Sequence, residues 1–175
     1  MLKPGDPAPQ WDLPCAFDGQ ISRLRLDGIR SEMVVLFFYP RDFSFICPTE
    51  VTGFHKAQPT FRQEQTSIIG ISVDTAESHL HWSHELGGIS YPLVADEGGN
   101  VARQYGVLDE RENVAMRALF ILDARRVVAY SLASAVNVGR SVAETLRVVR
   151  ALRTGRLCPA DWQPGGEWGP ADQKF

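Results

Sequence analysis

The chain has 175 residues, a formal net charge of -3 and 44% hydrophobic residues. This length suits one domain with its own core, and the charge gives no basic footprint for a phosphate backbone, so nucleic acid is not an expected partner. The longest clean apolar run, Met33 to Tyr39, is too short to cross a bilayer, and the first residues lack the apolar stretch of a secretory signal, so a soluble, cytoplasmic protein with no membrane partner is expected.

In chain order, Cys15 follows Pro14 in a hairpin-like stretch and reads as a bystander, a small buried thiol. Val34 to Tyr39, β-branched and aromatic and closed by Pro40, predicts a strand buried on both faces. A helix should begin near Cys47, with Pro48 in a first-turn position where its missing N–H is harmless; Pro59 should kink or end it. Ser67 to Val73 reads as the next strand. His79, His81 and His84 raise the question of a metal, but residues two apart on a helix point to nearly opposite sides, so only His81 and His84 could share a face and no metal site is expected. Trp82 reads as a packing residue.

Arg117 to Asp123 and Val127 to Leu132 predict two strands, and the short Ala124-Arg125-Arg126 turn between them makes the pair antiparallel. Ser141 to Thr154 predicts a helix: Ser141 and Glu144 have capping-box spacing, Val142, Leu146, Val149 and Leu152 form an apolar stripe, and Gly155 can close the end. Arg147, Arg150 and Arg153 would be its wet face. Strands alternating with helices give an α/β fold with a central mixed sheet flanked by helices. The domain is expected over 1–155, followed by an irregular tail over 156–175.

Three cysteines, at 15, 47 and 158, are too few and too scattered for a disulfide framework, and none has zinc-ligand spacing. Cys47 has a special setting, because it follows a buried strand and opens a helix. There the macrodipole and unpaired backbone N–H groups favour thiolate over thiol. Ser44, three residues upstream, can turn its hydroxyl toward that sulfur. Arg117 by its position is a strand-end charge. Cys158 lies among Pro159 and Pro164 in the tail, an unnatural place for a structural cysteine.

The segments Phe38-Tyr39-Pro40 and Asp42-Phe43-Ser44-Phe45-Ile46-Cys47-Pro48-Thr49-Glu50 resemble the peroxidatic-cysteine motif of the typical 2-Cys peroxiredoxins, the group that includes alkyl hydroperoxide reductase C-type and thioredoxin peroxidase-type enzymes. Gly70-Ile71-Ser72-Val73-Asp74, Tyr91 to Asp96, Tyr105 to Leu108, Arg117 to Asp123 and Val138 to Val142 are similar to family segments in family order. Leu157-Cys158-Pro159-Ala160-Asp161-Trp162 resembles the resolving-cysteine motif. Ser44 departs from the threonine common at its position; it keeps the hydroxyl and loses the β-branch.

The resemblance implies a thioredoxin-like fold and a thiol-dependent peroxidase without cofactor. Cys47 would be the nucleophile, Pro40 would shield its pocket, and Ser44 would hydrogen-bond sulfur and peroxide. Arg117 would be the cation at the sulfur, with Glu50 and Arg140 holding it, and Cys158 of a second subunit would be the resolving thiol. It further implies a hydroperoxide substrate, a thioredoxin or flavin-dependent disulfide reductase as electron donor, and a homodimer able to form a ring of five dimers with Thr75 near the dimer-dimer contact.

The residues around Cys47 lack a cysteine protease signature, and Glu50 would repel the substrate of a phosphatase. The alternative is a redox-regulated chaperone or assembly protein whose cysteines sense oxidation.

Overall fold

The computed structural model describes residues 1–170. Strands β1 (Asp12–Phe17) and β2 (Gln20–Arg25) form a hairpin turned at Asp18 and Gly19, both at positive φ. Then follow β3 (Met33–Phe38), α1 (Cys47–Gln63), β4 (Thr66–Ser72), α2 (Ala76–Glu85), β5 (Leu93–Ala95) and α3 (Asn100–Gln104). After them come β6 (Leu108–Asp109), β7 (Val114–Ala115), β8 (Arg117–Leu122), β9 (Val128–Ser134) and α4 (Val142–Thr154).

Seven strands make one sheet in the order β2-β1-β5-β4-β3-β8-β9, while β6 and β7 pair separately. β3, β4 and β5 are parallel, joined by crossovers through α1 and α2, and β8 is antiparallel to both β3 and β9. The sheet is therefore mixed, as expected.

β3 is central, and its side chains alternate between two cores. Val34, Leu36 and Phe38 join Trp11, Tyr105 and Phe120 on one face. Val35 and Phe37 join Phe54, Phe61, Leu119 and Val149 on the other, under α1 and α4. Every residue of β3 is buried, which explains its unbroken apolar sequence. Tyr39 lies one residue past the strand and continues the second core.

Pro59 does not end α1, which runs on to Gln63. The proline sits at an exposed position, so water can reach the carbonyl that its missing N–H frees. A proline inside a helix costs about 3 kcal/mol, and burying Phe54 and Phe61 on either side of it offsets that at about 1.5–3 kcal/mol each.

In α4 the Ser141 hydroxyl accepts the Glu144 N–H at 3.1 Å, and Gly155 closes the helix at φ 62°. The Glu144 carboxylate turns to Arg147 instead of completing the box. The arginine face is also less wet than expected. Arg150 and Arg153 pair with Glu64 just past α1, and Arg153 also reaches Glu32, so these charges fasten α4 to the end of α1. The described part of the tail forms no helix, yet Trp162 is buried and the Gly169 N–H returns to the Leu157 carbonyl at 2.8 Å. Of the expected 156–175 tail, 171–175 lie outside the described residues.

Candidate active site

Cys47 is the first residue of α1 and Pro48 occupies the first turn. The helix turns Cys47, Glu50, Val51 and Phe54 toward the sheet, so sulfur and carboxylate share one buried face, three residues apart. The loop over 40–46 reaches this helix from β3, with Pro40 buried and Phe43 at φ 54°. The Ser44 hydroxyl accepts the Cys47 N–H at 3.4 Å; the bond it makes here is to the peptide of Cys47.

Arg117, the first residue of β8, reaches the sulfur from the sheet. Its Nη1 donates to Cys47 Sγ at 3.2 Å and to Glu50 Oε2 at 2.8 Å, while Nε donates to the Val136 carbonyl at 2.7 Å. Nη2 finds no acceptor among the described residues, which leaves two N–H donors of this guanidinium available. Arg140 grips Glu50 from the other side. Its backbone N–H and Nε reach Oε1 at 2.8 and 2.7 Å, and Nη2 reaches Oε2 at 2.9 Å. Its Nη1 donates to the carbonyls of Phe38 and Ala118, tying the carboxylate to the ends of β3 and β8.

Arg117, Arg140 and Glu50 are all buried. Such charges survive burial only when paired and fully hydrogen-bonded. Burial pushes the Glu50 carboxyl up, but the Arg140 hydrogen bonds and the charges of Arg140 and Arg117 outweigh it and hold the group below its ordinary value. A carboxyl lowered by folding adds stability at pH above its unfolded value, about 4.3 for Glu. That stability is lost as pH falls through the lower folded value. Glu50→Gln is therefore expected to destabilise the protein by about 2 kcal/mol at neutral pH, with the difference shrinking in acid. Denaturant midpoints of both proteins from neutral to acid pH measure this.

All three cysteines are free thiols. Cys158 is half-buried beyond the end of α4, with its sulfur 3.5 Å from the Thr154 hydroxyl and 3.7 Å from the Ala151 carbonyl. This end of α4 is fastened beside Glu64, just past α1, whereas Cys47 opens α1. At 1.5 Å per residue, α1 is about 25 Å long. The two sulfurs of one chain thus lie toward opposite ends of that helix.

Cys15 is buried between β2 and β5, near the Ser22 hydroxyl, and burial pushes its thiol up. His79 is buried and bonded to Asp42, while His81 is exposed and pairs with Glu85. Trp82 packs against Tyr39 and Phe43 beside the loop. Sequence reasoning missed two supports of the site: the Asp42–His79 pair, and Tyr91, whose hydroxyl donates to the Val51 carbonyl at 2.7 Å. The spacing of Ala76, His79 and Trp82 is the signal that could have placed His79 inside.

A cysteine at a helix start, bonded to a buried arginine that a carboxylate holds in place, is an arrangement suited to thiol chemistry on an α/β scaffold. The AhpC/TSA family model matches residues 4–131. The chain is 39% identical over 171 residues to a putative peroxiredoxin in the rubredoxin operon of Clostridium pasteurianum, covering 93% of this chain and 96% of that protein. It is also 39% identical to the chloroplastic 2-Cys peroxiredoxin BAS1 of Spinacia oleracea, covering 98% and 69%. Among solved structures, the reduced 2-Cys peroxiredoxin of Plasmodium vivax superposes with a TM-score of 0.90 at 31% identity, over 96% of this chain and 93% of that one. AhpC of Mycobacterium tuberculosis gives 0.84 at 30%, over 93% and 99%. The chain belongs to the AhpC/TSA family of peroxiredoxins, with a thioredoxin-like fold, and is a thiol-dependent peroxidase.

Proposed function

We propose that Cys47 is the peroxidatic thiol and Cys158 of a second copy the resolving one, in an enzyme that reduces hydrogen peroxide and organic hydroperoxides. The observation that carries this reading is the 3.2 Å contact of Arg117 Nη1 with Cys47 Sγ inside a buried site. A thiolate there brings the charges of Cys47, Glu50, Arg117 and Arg140 to zero.

The thiolate attacks one peroxide oxygen. An S–O bond forms, the O–O bond breaks, and the second oxygen leaves with the electron pair and takes up a proton as water or an alcohol. The free Nη2 donors of Arg117 and the Ser44 hydroxyl are fixed groups suited to that developing charge, in a pocket that Pro40 shields. The sulfenic acid on Cys47 then condenses with the Cys158 thiol, forming the disulfide and releasing water. Thioredoxin or a flavin-dependent disulfide reductase supplies the dithiol that exchanges with it.

Two features support pairing between subunits. Cys47 and Cys158 of one chain lie toward opposite ends of α1. β9 is an outer strand with one edge unpaired among the described residues, and such an edge can take the matching strand of a second copy. A homodimer follows, with rings of five dimers as its larger assembly and Thr75 near their contact.

Peroxide is expected to convert the protein to a covalent dimer on a non-reducing gel. Cys158→Ser should prevent this, yet still consume about one peroxide per subunit before stalling, as the division between attack and resolution requires. An oxidised band at monomer size, lost in Cys158→Ser, would instead mean that both sulfurs pair within one chain.

A further inference from the structure

Beside the loop that leads into Cys47 lies a buried polar cluster that this chemistry leaves unused. His79 of α2 is 0% exposed. Its Nε2 faces the Val94 carbonyl oxygen at 3.1 Å, and its Nδ1 lies 2.8 Å from Asp42 Oδ2 and 3.1 Å from Oδ1. A carbonyl oxygen only accepts, so Nε2 carries a hydrogen. An ionised carboxylate also only accepts. The Tyr39 hydroxyl also lies 3.3 Å from Nδ1 but donates over the shorter 2.9 Å to Asp42 Oδ1, which leaves Nδ1 facing Asp42. A second hydrogen therefore lies between Nδ1 and Asp42, on one or the other, because without it lone pairs would face each other away from water.

Asp42 is held on every side. Its Oδ1 accepts the Tyr39 hydroxyl at 2.9 Å, and its Oδ2 accepts the Ser78 hydroxyl at 2.8 Å. Its backbone N–H donates to Asp74 Oδ2 at 2.9 Å, and the Ser72 hydroxyl holds that carboxylate at 2.6 Å. Within 40–46 only Pro40 and Asp42 are buried. Asp42 thus anchors the loop to the ends of β3 and β4 and to α2.

We propose that His79 is a positioning residue for peroxide reduction: the proton it shares with Asp42 pins the loop over 40–46 in the shape that presents Pro40 and Ser44 to Cys47. The inference rests on Cys47 being the peroxidatic thiol. Attack on peroxide needs this closed loop. Disulfide formation needs it open, because Cys47 is fully buried and Cys158 of a second copy cannot reach the sulfur until the first turn of α1 loosens. The tether therefore favours the first step at the expense of the second.

The test compares reduced full-length protein with His79→Phe, which keeps a ring and removes both donors, and with Asp42→Ala and Asp42→Asn. His79→Phe and Asp42→Ala should slow single-turnover attack on hydrogen peroxide by about tenfold or more. In the same samples, disulfide formation from the sulfenate should accelerate severalfold, by about the same shift in loop population. Asp42→Asn should restore both rates to within about threefold of the parent, since its amide can donate to a neutral Nδ1 and its oxygen can accept from Tyr39. If His79→Phe does not fold, the two Asp42 variants carry the comparison.

Nitrogen-15 spectra of labelled histidine, recorded without peroxide, should give His79 a hydrogen at Nε2 and a shared one at Nδ1 in the parent. The Nδ1 hydrogen should be gone in Asp42→Asn. Both steps slowing together, both unchanged, no rescue by Asp42→Asn, or no shared hydrogen in the parent would each overturn the proposal. Full turnover by Cys47→Ser would instead remove the catalytic assignment, and the histidine spectrum would still report on the shared proton by itself.

Discussion

Cys47→Ser is expected to lose peroxide turnover completely while keeping the fold. The side chain is buried where a hydroxyl fits in place of a thiol, and the groups around it stay paired: Glu50 keeps Arg117 and Arg140, and Arg117 keeps Val136. What disappears is the proposed nucleophile. A serine hydroxyl is far from ionised at neutral pH, and among the described residues no base is positioned to take its proton: Arg117 is a cation, and both Glu50 oxygens already accept arginine hydrogens. Peroxide consumption with dithiothreitol as reductant measures the loss, and circular dichroism checks the fold. Turnover at the parent rate would place the chemistry elsewhere.

Arg117→Ala is expected to slow attack on peroxide by about 10²–10³-fold, the usual loss when a fixed donor to a developing oxyanion is removed. Ionisation alone cannot account for so much. A free cysteine is about 3% thiolate at neutral pH, so complete ionisation gains roughly 30-fold, about 2 kcal/mol. Enzymes commonly lower the barrier by ~8 kcal/mol or more. Most of the effect is therefore expected on the transition state, where in the proposed mechanism the guanidinium meets charge on the leaving oxygen. Thiolate absorbance against pH and single-turnover rates, measured on the same variant, separate the two. A rate that falls only in step with thiolate population would remove Arg117 from the transition state. The cluster tolerates the change because Glu50 keeps its bonds to Arg140, although the Val136 carbonyl loses its donor.

The features legible in the sequence are those whose physics is local. An apolar run of β-branched and aromatic residues marks β3, because a strand covered on both faces has no polar side to show. Ser141 and Gly155 mark the ends of α4, since caps act on the nearest turn. The start of α1 at Cys47 follows from Pro48 in its first turn.

The arginine bracket has no such local mark. Glu50 meets Arg117 across 67 positions and Arg140 across 90, so neither spacing nor periodicity announces the cluster, and only likeness to a family picked out these residues in advance. Asp42 and His79, 37 positions apart, went unnoticed for the same reason. Pro59 does not end its helix and the α4 arginines do not form a free wet face, because local propensity is worth a few kcal/mol at most. Packing α1 on the sheet offsets the proline, and Glu64 and Glu32 turn an expected wet face into a seam. The sequence by itself determined the elements, their ends and the cysteine at the head of a helix. Which charges meet around that cysteine was decided by the tertiary structure, because buried charges are stable only beside partners that the closing of the sheet brings to them.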